Sequence, residues 1–222
     1  MPTLQLLFGI GAGFVLGYLA WTVAQRFIAR YRSNAATARG SERSKIDPLG
    51  VVVVLAMALC GGYVTWRTAD IQIIVAVLVV TTLLLIIVLV DYTVRRIPNE
   101  MVAALLVWAV AQVLWLGQPT PLSALIGFLV GGAVFFLLAL IGRGAMGMGD
   151  VKLVAAEGAI LGFPLVLHGM FWGIMLGGLA AVLLLITKRA GRKDSFAYGP
   201  YLALGAWIIY LAALNMLPWQ HH

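Results

Sequence analysis

The sequence predicts an all-α membrane protein, a bundle of about eight transmembrane helices of which one is short. Three observations lead to this prediction. Of the 222 residues, 63% are hydrophobic and only 10% are charged, and the mean hydropathy is +1.02. A chain of this composition does not bury its apolar surface in one water-soluble core. The apolar residues also form continuous runs of helix length, unlike the alternating segments that are typical of membrane β-barrels.

Seven apolar runs are long enough to cross a bilayer, because about 20 residues at about 1.5 Å per residue span the roughly 30 Å hydrocarbon core. These runs comprise residues 3–25, 49–66, 71–90, 101–117, 122–142, 165–187 and 201–217. An eighth run, 151–163, covers only about 20 Å and is the predicted short helix. The first run lacks a basic start and a small-residue cleavage site, so we interpret it as a retained helix.

The net charge of +7 arises from basic residues that cluster on one side of this topology. With eight crossings, 14 of the 15 Lys and Arg residues belong to the loops 26–48, 91–100, 143–152 and 188–199, and only Arg67 lies opposite. If segment 151–163 were re-entrant, 10 of the basic residues would lie on one side and 5 on the other. The positive-inside rule therefore favours eight spans, a cytoplasmic basic side and two outer termini. The charges indicate topology, and no nucleic-acid partner is predicted.

Local signals predict the helix ends. Pro98 stops any helix that approaches it, and Asn99 is the expected N-cap of the fourth span. Three glycines within residues 144–150 predict that no stable helix forms there. Pro200 suits the first turn of the last helix. The basic loop 26–48 is expected to be flexible and close to the lipid headgroups.

Small residues at four-residue spacing predict close helix packing and no chemistry of their own. They are Gly9, Gly13 and Gly17, followed by the pairs Gly127/Gly131, Gly158/Gly162 and Gly173/Gly177.

Cysteine and histidine usage excludes several classes of site. The single cysteine, Cys60, lies inside a span, which excludes a disulfide framework and a thiolate zinc site. His168 lies near the outer end of a span with no serine beside it at inner depth, so a Ser/His hydrolase is not expected. His221 and His222 are interpreted as remains of an affinity tag. We predict no metal and no cofactor.

The acidic residues that matter are the ones near or within apolar runs, because charges at membrane depth are costly and rare. They are Asp91, Asp150 and Glu157. In the eight-span topology Asp91 ends a helix that runs inward and Asp150 begins one that runs outward, so both lie at the same depth. Two adjacent carboxylates share one proton, and such a pair acts as base toward water and as acid toward a leaving amine. Peptide hydrolysis needs both roles.

Other interpretations of these residues stay open. Asp150 before an apolar helix is also typical of an N-cap, and Asp91 is also placed to pair with Arg95 or Arg96. Glu157 is expected to pair with a polar group or to line an aqueous pocket, and Lys152 to snorkel or to orient the dyad.

Three separated motifs together resemble the type IV prepilin peptidase family, bacterial inner-membrane aspartyl proteases of the GxGD class. The first is Asp91 followed by Ile97-Pro98-Asn99, the second runs from Gly147 through Asp150 to Leu153, and the third is Phe196 to Gly205. The resemblance covers roughly residues 80–210. A lone GxGD is a weak signal, whereas the three motifs in this order are specific.

The resemblance implies Asp91 and Asp150 as the catalytic pair. It also implies residues that bind substrate or shape the site, namely Gly147, Gly149, Lys152, Pro98, Asn99, Gly199 and Pro200. The expected substrate is a prepilin or pseudopilin of a type IV pilus or type II secretion system. Its basic leader would be cut at the cytoplasmic face of the inner membrane.

The first part of the chain departs from the bifunctional family members. In those members a loop with paired zinc-binding cysteines follows the first helix, whereas residues 26–48 contain no cysteine. We therefore expect residues 1–48 to be a degenerate version of that segment and residues 71–217 to be the peptidase core. N-methyltransferase activity is not expected.

Two other classes of protein share parts of this pattern. A proton-coupled transporter would use the same carboxylates, but it predicts an internal repeat with paired broken helices, and no second copy of the glycine-rich break is present. A presenilin-like protease would need a Pro-Ala-Leu motif near the end, where the chain has Gly199-Pro200-Tyr201.

Overall fold

The structure is a computed structural model that describes residues 2–35, 48–142, 147–187 and 197–216. These residues form eight α-helices and no strand, which confirms the all-α prediction. The helices are α1 Pro2–Ala35, α2 Pro48–Arg67, α3 Ile71–Val94, α4 Asn99–Leu116, α5 Pro121–Ile141, α6 Met148–Leu161, α7 Leu165–Ile186 and α8 Gly199–Met216. The chain divides into two compact units, Met1–Val94 and Arg95–His222. Each unit is described by itself.

The lengths and composition of the helices are those of a multi-pass membrane protein. In the described part of the chain, six helices are long and apolar enough to cross a membrane, namely α1 to α5 and α7. Residues Gly199–Ala213 of α8 form a shorter apolar helix. Helix α6 has 14 residues and matches the short helix that the sequence predicts. The cytoplasmic orientation of the basic side stays a prediction.

Two of the predicted boundaries are wrong. The loop expected to begin at residue 26 begins later, because α1 continues as a helix of 34 residues to Ala35 and contains Arg26, Arg30 and Arg32. The break expected up to Asp150 ends earlier, because Met148, Gly149 and Asp150 form the first turn of α6. The predictions for residues 36–47, for Gly144, for the motif residue Phe196 and for His221 and His222 fall outside the described residues.

The first unit is organised around glycines that let α1 approach α2. Gly9, Gly13 and Gly17 are all buried, as their spacing predicts. A Cβ added at Gly13 would collide with the backbone of Met57 and Ala58. Helix α3 packs against both α1 and α2, and Asp91 lies in its last turn with 5% of its surface exposed.

The second unit is built around α6. Helices α4, α5, α7 and α8 all pack against it, and ten of its 14 residues are buried. A Cβ added at Gly158 would collide with the carbonyl of Gly127 on α5, so these two helices touch through their backbones. The glycine pairs predicted for packing thus hold the short helix inside the unit.

Candidate active site

Asp150 lies at the start of the central helix of the second unit. It is the third residue of α6, after the N-cap residue Gly147, and its side chain is half-buried. The Gly147 N–H donates to Asp150 Oδ2 at 3.3 Å, and the Asp150 N–H donates to the Gly147 carbonyl at 3.1 Å. Asp150 is therefore not the N-cap residue of α6, although its carboxylate accepts a hydrogen bond from the residue that is, Gly147. The positive end of the α6 dipole favours a negative charge there.

Gly149 brings the start of α6 against the Ile97-Pro98 turn. A Cβ at Gly149 would lie 3.2 Å from Ile97 Cβ, which is a tighter contact than most Cβ atoms make. Pro98 is fully buried and occupies the N-cap position of α4. Within the second unit the structure thus brings the Pro98 motif and the glycine motif together.

Lys152 contacts the same turn through its side chain. Its Nζ donates to Asn99 Oδ1 at 3.2 Å, and both residues are exposed. The expectation that Asn99 caps α4 is wrong, because Asn99 is the first helical residue and the cap has no side-chain hydrogen bond. Asn99 instead holds the ammonium group of Lys152 two residues from Asp150.

Tyr198 is a neighbour of Asp150 that the sequence-based site omitted. Burial, and second the charge of Asp150, raise the pKa of Tyr198 above its usual value of 10.0. Its hydroxyl donates to the carbonyl of Ile174 at 3.3 Å. Its own carbonyl accepts the N–H groups of Tyr201 and Leu202, which start α8 beside the buried Gly199 and Pro200. Its place directly before Gly199-Pro200 was the available signal.

Asp91 belongs to the other unit, so its pairing with Asp150 stays a prediction, as does a pairing with Arg95 or Arg96. What the first unit does show is a carboxyl in the last turn of α3 with 5% exposure. The catalytic role of Asp91 stays a prediction.

Glu157 is the third acidic residue near the site. It is 5% exposed, lies seven residues after Asp150 on α6, and interacts electrostatically with the Asp150 carboxylate. Its Oε1 has no hydrogen-bond partner among the described residues. The expected polar partner is thus missing for that oxygen.

No group of three or more His, Cys, Asp or Glu residues within the described ranges is arranged to hold a metal ion.

The fold and the site define a multi-pass helical membrane protein with a carboxylate at the start of a short, buried central helix. A family model described as the type IV leader peptidase family matches residues 78–182 of the chain. Over this segment the chain is similar to the type IV leader peptidase family.

Individual relatives agree with this similarity, and each is named prepilin leader peptidase/N-methyltransferase. The protein from Pseudomonas aeruginosa is 31% identical over 72% of this chain and 57% of the relative. The one from Pseudomonas putida is 30% identical over 89% and 65%, and the one from Neisseria gonorrhoeae is 31% identical over 77% and 60%. The chain therefore spans less than two thirds of these relatives. No solved structure matches the chain significantly.

Proposed function

We propose that this protein is a prepilin leader peptidase, an aspartyl endopeptidase that uses Asp91 and Asp150. The observation on which the proposal rests is the family match to residues 78–182, because this single segment contains both carboxylates. It also contains Pro98, Asn99, Gly147 and Gly149, whose contacts at the start of α6 surround Asp150.

The two carboxyls divide the proton transfers of peptide hydrolysis. The α6 dipole favours a charged Asp150, so we assign the base to Asp150 and the acid to Asp91. Asp150 takes a proton from water as the water oxygen attacks the scissile carbonyl carbon, and Asp91 gives its proton to the carbonyl oxygen. When the carbon–nitrogen bond breaks, Asp150 protonates the leaving amine and Asp91 takes back a hydroxyl proton.

The neighbours of Asp150 position it. Lys152, held by Asn99, lies two residues after Asp150 in the start of α6 and fixes this start against α4. Gly147 donates its N–H to Oδ2, and Tyr198 adds a neutral phenol on the α8 side. Because Gly147 lacks a side chain beside the Asp150 carboxylate, an extended substrate segment approaches Asp150 from that side.

The proposed substrate is a prepilin or pseudopilin precursor of a type IV pilus or type II secretion system. Its scissile bond would lie where a basic leader meets a membrane helix. The proposed location is the bacterial inner membrane, with the site at the cytoplasmic face. This arrangement agrees with the clustering of the basic residues on one predicted side.

Peptidase activity alone is proposed, although the relatives are named for both activities. Residues 26–48 contain no cysteine, so they do not provide thiolate ligands for zinc. Supplying S-adenosylmethionine during cleavage tests this point. We expect an unmethylated new N-terminus by mass spectrometry, and a methylated product would overturn this part of the proposal.

The direct test is leader removal by the purified protein in detergent or liposomes, with a prepilin and a pseudopilin as substrates. Asp91→Asn and Asp150→Asn should each lower the rate by about a thousandfold or more, as expected when a group that transfers protons is lost. Asp70→Asn is the matched control, because the Asp70 carboxylate accepts the Gln72 N–H at 2.8 Å at the start of α3 and an amide oxygen keeps that bond.

Three results would count against the proposal. Wild-type rates in either variant would refute the dyad, and no cleavage of either substrate by the wild-type protein would refute the activity. Proton or solute movement across liposomes without cleavage would favour the transporter.

A further inference from the structure

Glu157 has no role in the proposed reaction, yet its burial is costly. Its side chain is 5% exposed inside the second unit, and its Oε1 lacks a hydrogen-bond partner among the described residues. An unsatisfied buried polar atom destabilises the folded protein, because it has lost its hydrogen bonds to water. The cost is avoided if a polar ligand binds Oε1.

Trp108 on α4 presents the complementary atom. Its Nε1 is buried and also has no hydrogen-bond partner among the described residues. Trp108 lies one turn before Gln112 and therefore on the same face of α4. Gln112 Nε2 donates to the carbonyl of Ile160 at 3.2 Å, so this face of α4 is turned toward α6.

Trp108 and Glu157 lie at a similar level between two contacts that join α4 and α6. Lys152 contacts Asn99 near the start of both helices, and Ile160 contacts Gln112 near the end of both. Gln112 lies thirteen positions after Asn99, and Trp108 lies nine positions after it. Ile160 lies eight positions after Lys152, and Glu157 lies five positions after it. Each residue thus lies about two thirds of the way between the same two contacts.

Water is the ligand that suits this pair. It accepts a hydrogen bond from the Trp108 N–H and donates one to Glu157 Oε1, whereas the N–H disfavours a cation and the carboxyl disfavours an anion. Buried waters typically bind two to four polar groups of this kind. Gln112, one turn further along α4, already has a partner for its side-chain oxygen, because the Tyr210 hydroxyl donates to Gln112 Oε1 at 2.9 Å.

This position also faces the reacting carboxylate. Seven residues are two helical turns, so Glu157 and Asp150 share a face of α6 about 10 Å apart along the axis. The Glu157 side chain leans toward the helix start, which shortens that gap.

We propose that Glu157 Oε1 and Trp108 Nε1 bind a water molecule between α6 and α4, and that this site supplies water to Asp150 during hydrolysis. The water-binding part stands on the two unsatisfied atoms. The supply part rests on the proposed peptidase function. Glu157 and Trp108 are positioning residues in this scheme, because they act on the reaction through water.

Radiolytic footprinting tests the binding without any need for activity, since radicals formed from bound water oxidise adjacent buried side chains. We expect oxidation of Trp108 in the wild-type protein and in Glu157→Gln, whose amide oxygen still accepts a hydrogen bond. Glu157→Met should lower the Trp108 rate by about threefold or more, because one of two water ligands is lost. The rate of Trp172, on α7, is the internal reference.

Two results overturn the water site. One is a wild-type Trp108 that is not oxidised, and the other is an equal Trp108 rate in Glu157→Met and wild type. If Glu157→Met does not fold, the rates of Trp108 oxidation in the wild-type protein and in Glu157→Gln decide whether the water site exists, because both proteins should show oxidation.

Kinetics of leader cleavage test the supply of water. Trp108→Phe removes the N–H and keeps a ring, and it should lower kcat by about three- to tenfold while KM changes less than about twofold. Trp172→Phe, the same change on an exposed residue of α7, should leave both constants unchanged. An unchanged kcat in Trp108→Phe, or an effect on KM alone, overturns the supply role.

The outcomes separate the two proposals. Oxidation of Trp108 that depends on Glu157, in a protein that cleaves no leader, would leave the water site standing and refute the peptidase function.

Discussion

At the residue scale, the second unit surrounds Asp150 with groups that act in different ways. Gly147 binds the carboxylate through its N–H, and the charge of Asp150 acts on Tyr198. Lys152, two residues further along α6, places its ammonium on Asn99. These contacts come from the starts of three helices, α4, α6 and α8. The site is therefore formed by helix ends, where the backbone still has unpaired N–H groups.

The pKa of Tyr198 gives a testable consequence of this arrangement. Because burial and then Asp150 raise it above 10.0, the folded protein keeps the phenol proton at a pH where the unfolded chain has lost it. The Tyr198 contribution to stability is thus constant below about pH 10 and decreases as the pH rises beyond it. The phenolate absorbance of the wild-type protein minus that of Tyr198→Phe should show a titration above pH 10. Asp150→Asn should move this titration to lower pH.

The opposite outcome would be informative about geometry. If Asp150→Asn leaves the Tyr198 titration unchanged, the two side chains are too far apart in solution for Tyr198 to belong to the site.

The buried Gln112 group gives a second prediction at this scale. Tyr210→Phe removes the hydroxyl that donates to Gln112 Oε1 at 2.9 Å and leaves that oxygen unsatisfied. The free energy of unfolding should decrease by about 0.5 to 2 kcal/mol, since hydrogen bonds between membrane helices are modest in strength. Unfolding by a denaturing detergent measures it. Tyr18→Phe on the exposed face of α1 should change stability by less than about 0.5 kcal/mol.

The sequence predicts some of these residues for reasons that the structure explains. Asp150, Lys152 and Asn99 belong to short motifs, so their neighbours along the chain identify them. Tyr198 was missed because its contacts come from α7 and α6, which are distant in sequence. An interfacial tyrosine is also typical of any membrane helix end, and its pattern does not indicate a site.

At the element scale, α6 shows which helix features the sequence predicts. Its shortness follows from the length of the apolar run, and its tight packing follows from Gly158 and Gly162. Its first turn was not predicted, because glycines disfavour a helix on propensity alone. The contact of Gly149 with Ile97 and the bond between Gly147 and Asp150 offset that preference. Packing of this kind is not visible in the local sequence.

Two adjacent glycines of α7 provide a matched test of how an element positions the site. A Cβ at Gly177 would collide with the Tyr198 ring, whereas a Cβ at Gly178 meets nothing within 4 Å. Gly177→Ala should lower the free energy of unfolding by about 1 to 3 kcal/mol through overpacking. It should also move the Tyr198 titration toward pH 10, because the ring leaves Asp150. Gly178→Ala should leave the Tyr198 titration unchanged and should not lower the free energy of unfolding, because Ala favours a helix more than Gly does. Similar effects of the two variants would contradict the placement of Tyr198.

At the scale of the whole molecule, composition alone predicts the class of fold. Long apolar runs leave few alternatives to a helical bundle, because every backbone polar group in lipid needs an internal partner. The pairing of Asp91 with Asp150 is a different kind of statement, since it joins residues of the two units. The charge clusters of the sequence predict the depth of Asp91 and Asp150 in the membrane. Depth alone does not determine whether the two helices that carry these residues are neighbours.

Cross-linking tests that pairing directly. In a Cys60→Ala background, Tyr92→Cys and Met148→Cys place exposed thiols one residue from Asp91 and two residues from Asp150. If the two carboxyls share a proton, their neighbours lie within about 15 Å, given about 3.8 Å between adjacent Cα atoms. A bifunctional maleimide of that span should then join the fragments of a protease-cut chain. Leu114→Cys, at the far end of α4, replaces Met148→Cys as the control. No Tyr92–Met148 product, or equal yields from both pairs, would refute the dyad.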